Sequence, residues 1–527
     1  MARAEIRPIL RTGAALWVAL AAIMGLWAAA TPISAAPDEP AHLVKAAAVA
    51  HTQLTGDLTS DGMKVQVPAY VAWTHAMTCF AFNPDVGASC ATTVEGAPGA
   101  MVESRTTAGL YNPLYYALVG WPTLVFDTTG GIYAMRVASA VLTAAFAAAA
   151  LALALRWRRP VWGAAAVVGS LTPMVLFLGG VVNPNALETT TTLAAVVASM
   201  SIVRQRDRIP VSLSATVFAV AVAIGANTRG LAPLWFFVVV IVSLLLCSRA
   251  ELGAVLSLRA VRVSAAVSAV AVAVAVAWTL SASSLTAAVD NPDAVNLYPG
   301  AGSPAIIGFA FVLERTFAFG GDMIGMFGWA DTPAPAAVMA VWTLIILGLI
   351  VGAAAAAHGR RLLALLASIG SLILLPALLQ GFYVTGGGFI WQGRYALPLL
   401  AVVLVTAALV ISEENPRTPS FVSRRILIGG AAAMYLAQVY AFAHVLRRYA
   451  TDGEASTWID LLVEPTWQPP GTVLPLLAAY AVTTGLSAVA GVLWLRRRAH
   501  EGHEMHDHPD ERTGRQSHGD SQHQITR

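Results

Sequence analysis

Apolar and polar stretches alternate along this chain on one dominant scale. Runs of about 18 to 25 residues, rich in Ala, Val and Leu, are closed by short charged or proline-containing turns. Helices that cross a hydrocarbon core have this length, whereas barrel strands would alternate over about 10 residues. The runs predict twelve spans: Leu10–Ile33, Ile132–Leu155, Val161–Gly180, Ala186–Val203, Val211–Ala226, Leu231–Cys247, Val263–Leu280, Ala336–Ala357, Leu362–Tyr383, Ala396–Ile411, Ile426–Val445 and Val473–Leu495. The run Pro113–Phe126 is only about 14 residues long, which suits a re-entrant or interfacial helix; counting it as a crossing gives thirteen spans instead.

Charge sets the orientation of this all-α polytopic protein. Arg3, Arg7 and Arg11 precede the first run, and Arg156, Arg158, Arg159, Arg204, Arg206, Arg208, Arg249, Arg259, Arg262, Arg360, Arg361, Arg417, Arg424, Arg425 and Arg496–Arg498 all fall on the same side in the twelve-span topology. By the positive-inside rule that side is cytoplasmic, and both termini lie there. A transmembrane domain over residues 1–498 then has three large outer segments. Residues 35–112 carry an amphipathic juxtamembrane helix ending near Thr55-Gly56-Asp57; residues 281–335 carry a membrane-hugging helix at Ala305–Phe319; residues 446–472 form the last outer loop. The N-terminal arm and first run resemble a secretory signal, but the run is long for one and reads as an uncleaved anchor. The tail 499–527 is polar, holds six of the 11 histidines and has nothing to build a core with, so it is expected to be disordered and cytoplasmic. Its His500, His503, His506 and His508 fit no closed metal site.

Composition adds little to the pattern: 57% hydrophobic and 12% charged residues fit a membrane protein, and a net charge of +3 spread over topology markers does not imply nucleic acid. Of 3 cysteines, Cys79 and Cys90 share the first outer segment, where a disulfide or two free thiols are both open, and Cys247 ends a span.

Chemistry concentrates on the outer side. Directly after the first span, Pro37-Asp38-Glu39-Pro40-Ala41-His42 puts two carboxylates and an imidazole where hydrocarbon meets water, a position costly enough to suggest function. The prolines predict an extended Asp38, Glu39 as N-cap and a helix from Pro40 carrying His42, Lys45 and Val49 on one side. Simple capping of a surface helix by Asp38 and Glu39 is the plainer reading. On the same face the topology puts Asn183, Asn185, Arg229, the acidic stretch Asp290, Asp293, Glu314, Asp322 and Asp331 with Arg315 and Trp329, and then Gln392, Arg394 and Tyr395. A transporter would sooner gather its polar groups mid-span in two related halves.

The order Asp38-Glu39, an amphipathic helix, Gly56-Asp57, Asn112-Pro113-Leu114-Tyr115-Tyr116 and Arg136 resembles the start of GT-C membrane glycosyltransferases. Pro37–His42 with Asn183-Pro184-Asn185, Phe327-Gly328-Trp329 and Gln392-Gly393-Arg394-Tyr395-Ala396-Leu397-Pro398 resembles the bacterial family called domain of unknown function 2142, itself similar to GT-C. The resemblance spans nearly all but the tail, through motifs specific in combination and weak singly. Two positions depart: Tyr111-Asn112-Pro113 stands where the glycosyltransferases have His-Pro-Pro or Lys-Pro-Pro, and Asn185 where an acidic residue is expected.

The resemblance implies an inverting transferase that moves a sugar from a polyprenyl phosphate to a cell-envelope acceptor at the outer face of the cytoplasmic membrane. Asp38 would be the general base and Glu39 would tune it or position the acceptor. Arg394, Arg229 and His42 would hold the donor phosphate. Asn183, Asn185, Asp322, Trp329, Asp331, Gln392 and Tyr395 would line the acceptor groove, Trp329 by stacking on a sugar. Structural roles are open beside each of these, a snorkelling anchor for Arg394 among them. The Ala-rich composition is compatible with an actinobacterium and decaprenyl-phosphate arabinose or mannose as donor; the acceptor would be an arabinan, a mannan, a glycolipid or a protein. The resemblance fixes no cofactor, and a divalent cation is left open. The rivals are a transporter or flippase of a lipid-linked saccharide, and a non-catalytic membrane partner that keeps the fold.

Overall fold

The computed structural model of the chain describes residues 2–59, 62–94, 96–283, 285, 298–414, 420–453 and 456–504. Asp290 and Asp293, and the tail beyond residue 504, lie outside the described residues. Helix continues to Glu504, so the first residues of the expected tail extend the last helix.

Each predicted span coincides with helix, and nine helices among the described residues are long and apolar enough to cross a membrane. These are α1 (Ala2–Ala30), α4 (Gly130–Ala154), α7 (Pro184–Arg204), α10 (Arg259–Ser281), α13 (Ala336–Ala356), α14 (Gly359–Gly387), α15 (Leu397–Glu414), α16 (Ser420–Ala450) and α17 (Val473–Glu504). A tenth is made if α5 (Pro160–Ser170) and α6 (Pro173–Gly179), bent by 62° about Thr172-Pro173, act as one span. The remaining two predicted spans, α8 (Val211–Gly225) and α9 (Ala232–Leu246), are 15 residues each, about 22 Å of helix, and do not reach that length. This is a multi-pass membrane protein, but the count of twelve exceeds what helix length supports. The thirteenth candidate is no span: Pro113–Phe126 folds as α3 (Pro113–Gly120), about 12 Å long, and a short 3-10 turn.

Burial sorts the bundle. α7 and α15 are its centre, with 89% and 94% of their apolar windows buried, whereas α10 and α17 present most of theirs outward. Around Trp27, which is fully buried, pack Phe177, Phe327, Phe442 and Tyr480, drawing α1, α6, α16 and α17 together. Helix starts repeat one device: Asn112, Thr172 and Asn183 each accept a backbone N–H of the first turn, and each is followed by proline. In α7 the buried run Thr189–Thr192 satisfies its hydroxyls on carbonyls of the preceding turn.

The first long loop is more built than the sequence reading expects. Its helix α2 (Glu39–Ala50) stops short of Thr55. Three antiparallel strands follow in the order β1 (Asp57–Thr59), β2 (Gly62–Pro68), β3 (Met101–Thr106), with Val65 opposite Ser104. α2 lies almost wholly buried between this sheet and α3. Cys79 and Cys90 are joined by a disulfide, and Cys247 is free and buried. The expected single helix Ala305–Phe319 is two, α11 (Ala305–Glu314) and α12 (Thr316–Gly325), broken at Arg315. β4 (Met326–Phe327) and β5 (Thr332–Pro333) form a hairpin directly after them.

Candidate active site

Asp38 occupies the N-cap of α2 in left-handed backbone, φ 61°, where the sequence reading had it extended and Glu39 as cap. Aspartate is among the few L residues that take this conformation readily. Its carboxylate does not cap the helix; Oδ2 instead accepts from Arg394 Nη2 at 2.7 Å, with the Asp38 side chain 49% exposed and that of Arg394 4%. Arg394 sits in a 3-10 turn that leads into α15. Its approach requires glycine at 393, since a Cβ there would lie 2.4 Å from the Phe319 carbonyl and 2.5 Å from Asp322 Cβ. Gln392 accepts from Arg394 Nη1, and the buried Nε of Arg394 has no partner among the described residues.

A second guanidinium stands on the same ring. Arg229 lies 4.5 Å and Arg394 5.0 Å from the Tyr395 ring centroid, so one aromatic ring orders two cations. Arg229 donates to Asn185 Oδ1, lies 3.6 Å from Glu188 Oε2 and also faces Tyr111. Glu188, one turn along α7 from Asn185, accepts from Trp235 Nε1 at 2.8 Å. Burial lifts the Asp322 carboxyl above its usual range, against the pull of the Gly393 N–H and Arg394. Asp38, Arg394, Tyr395, Arg229, Asn185, Gln392 and Asp322 thus come together at one end of the bundle, at the starts of its two central helices.

Four expected site residues do not face that cluster as the sequence reading has them. Glu39 is fully buried, one residue from Asp38 but turned inward. Arg136 binds it bidentately at 2.7 and 2.6 Å and gives its remaining donors to the carbonyls of Ala28, Thr31 and Pro32, so all five N–H groups are used. No side of Glu39 is left for an acceptor. Asn183 is fully buried as well: it caps α7 and donates to the Pro37 carbonyl at 3.1 Å, holding the Asp38 segment rather than lining a groove. His42 is buried and hydrogen-bonded through Nδ1 to Tyr116 at 2.8 Å. Burial pushes its pKa down to about 4, against the attraction of Asp38 and with the help of Arg229 and Arg394, so at neutral pH it is no cation for a phosphate. Asp331 accepts from the Phe82 N–H and from Thr332 Oγ1, and its side chain is 6% exposed, which makes it a clamp on the first loop. Trp329 is half-buried and donates to the Ser34 carbonyl at 2.8 Å.

Sequence reasoning missed Glu188, Trp235, Tyr111 and the function of Arg136. Glu188 and Arg136 carried a usable signal, a charge inside an apolar run. No group of three or more His, Cys, Asp or Glu side chains converges among the described residues. Asp38 and Glu188, the carboxylates nearest the two arginines, are both engaged by them, a donor set that does not suit a divalent cation.

Residues 22–403 match the family described as "Predicted membrane protein (DUF2142)". The chain belongs to this family. Every residue of the cluster falls within the matched stretch, so the site sits in the part of the chain that defines membership. No curated protein matches. Among solved structures, one of ArnT from Cupriavidus metallidurans bound to undecaprenyl phosphate is similar at 14% identity and a TM-score of 0.41, over 94% of this chain and 77% of that one. At that score the likeness does not establish a shared fold.

Proposed function

We propose that this DUF2142 protein is an inverting glycosyltransferase of GT-C type, moving a sugar from a polyprenyl phosphate to a cell-envelope acceptor at the outer face of the cytoplasmic membrane. The observation that carries this reading is the pairing of a half-exposed carboxylate, Asp38, with a buried guanidinium, Arg394, at 2.7 Å. A base open to an acceptor and a cation behind it are the two things this transfer needs. The disulfide in the Asp38 loop fits the oxidising side of that membrane.

In this mechanism Asp38 takes the proton of an acceptor hydroxyl as its oxygen attacks the anomeric carbon. The bond from that carbon to the phosphate oxygen breaks on the opposite face, which inverts the centre. The leaving polyprenyl phosphate carries the negative charge to Arg394 and Arg229. A phosphate engaging Arg394 loosens its hold on Asp38. Asn185, Glu188 and Tyr395 hold the second arginine in place.

The test is sugar transfer from synthetic polyprenyl-phosphate donors by the purified protein. Asp38→Asn is expected to lower the rate by about 10²-fold or more with folding intact. Absence of transfer from every donor, with donor lipid still bound, would favour the transporter or partner reading. Transfer surviving in Asp38→Asn would remove Asp38 as base.

A further inference from the structure

The Cys79–Cys90 loop is held far more firmly than a connecting segment requires, and what it holds out is an aromatic ring. Arg448, at the end of α16, donates to the carbonyls of Phe80, Asn83 and Val86 at 3.1, 2.8 and 2.5 Å. Asp452 accepts from Gly87 N–H at 2.7 Å and from Ser89 Oγ, and Asp331 accepts from Phe82 N–H at 3.0 Å. The disulfide closes the loop covalently. At its apex Phe82 is 73% exposed and has φ 59°, a conformation that a bulky L residue adopts only where its surroundings impose it. A strained backbone costs stability and an exposed phenyl ring recovers little of it by burial, so the fixed ring is the feature to be explained.

Phe82 is not alone. Its ring meets Trp329 edge to face, with centroids 5.4 Å apart, and the Trp329 indole is pinned by its N–H to the Ser34 carbonyl. Ser34 belongs to the segment that ends in Asp38, so the aromatic pair is continuous with the candidate site. The neighbours of Phe82 decide what suits it. Asn83, Pro84 and Asp85 are exposed beside it, and the side chains of Asn83 and Asp85 have no partner among the described residues. A ring flanked by a free amide and a free carboxylate is a poor seat for an acyl chain. It suits a ligand with one C–H face and a rim of hydroxyls.

We infer that Phe82 and Trp329 form a stacking platform for a saccharide acceptor, with Asn83 and Asp85 bonding its hydroxyls. This rests on the transferase reading and narrows it: the acceptor is a glycan, not a protein side chain or a lipid alcohol. Trp329 alone was a candidate from sequence; Phe82 and the clamped loop come from the structure.

The experiment is saturation-transfer NMR on the full chain in nanodiscs, without donor, using soluble mannohexaose and arabinohexaose as probes. Wild type and Phe82→Tyr are expected to bind at least one of them, and Phe82→Ala to bind roughly tenfold more weakly, the loss expected of an anchoring aromatic. A thermal-unfolding midpoint for Phe82→Ala at or above that of wild type keeps the loss from being misfolding. No binding of either probe by wild type, or binding unchanged in Phe82→Ala, overturns the platform. Binding lost in Phe82→Ala with no transfer by wild type supports the platform and removes the transferase. Transfer abolished by Asp38→Asn while Phe82→Ala binds normally does the reverse.

Discussion

Asp38 and Glu39 are adjacent in sequence and opposite in circumstance, one half-exposed against Arg394 and the other sealed against Arg136. Removing one member of a sealed pair leaves an unpaired buried charge, which costs about 3 to 5 kcal/mol. Glu39→Gln is therefore expected to lower thermal stability sharply, whereas Asp38→Asn, which keeps an acceptor oxygen for the buried Arg394 at a half-exposed site and in a backbone conformation that asparagine accepts, is expected to cost less; one unfolding series in detergent checks both. His42 gives a pH signature. Its folded pKa of about 4 lies below the unfolded 6.5, so the unfolded chain binds the extra proton between these values. Stability from this group is full above pH 6.5 and falls on acidification, by up to about 3 kcal/mol near pH 4. The expected outcome is a lower unfolding midpoint at pH 5 than at pH 7, with a smaller difference in His42→Asn. Asp38 and Arg394 were legible from sequence because charges beside hydrocarbon are few and conspicuous. The partner of Glu39, 97 residues away, was not, and neither was the neutrality of His42, which burial alone decides.

Among the elements, α2 does the positioning. Its first residue is locked to α4 through Arg136, and its buried Lys45 donates to the Leu54 and Gly109 carbonyls. It also meets α3 at closest approach where a Cβ on Gly120 would come within 2.1 Å of the Ala46 carbonyl. Gly120→Ala must push the two helices apart, at about 1 to 3 kcal/mol, and loosen the His42–Tyr116 contact. A lowered unfolding midpoint, with faster amide exchange along α2, is the expected reading. The long helices were legible because period and length agree over many residues. The sheet was not, although Met63, Val65 and Val67 alternate inward with Lys64 and Gln66 between them. Three to seven residues of alternation are too few to stand out in a loop, and β3 is mostly exposed. The same limit explains α8 and α9: hydropathy finds their apolar runs, but helix geometry leaves them short.

At the scale of the molecule, the two most buried of the long apolar helices begin at the candidate site, so the groups that would do chemistry stand on the least compliant part of the bundle. Its cysteines bear on orientation in a way that needs no substrate. Cys79 and Cys90 are bridged in the Asp38 loop, while Cys247 is buried 4% exposed at the far end of α9. The chain thus carries its own address label. In sealed right-side-out vesicles, a reductant and a maleimide that both fail to cross lipid should tag two sulfurs on the intact protein if the Asp38 loop is outside, and none if it is inside. The face that carries the Asp38 loop would then be named by native residues, with no reporter fused to the chain.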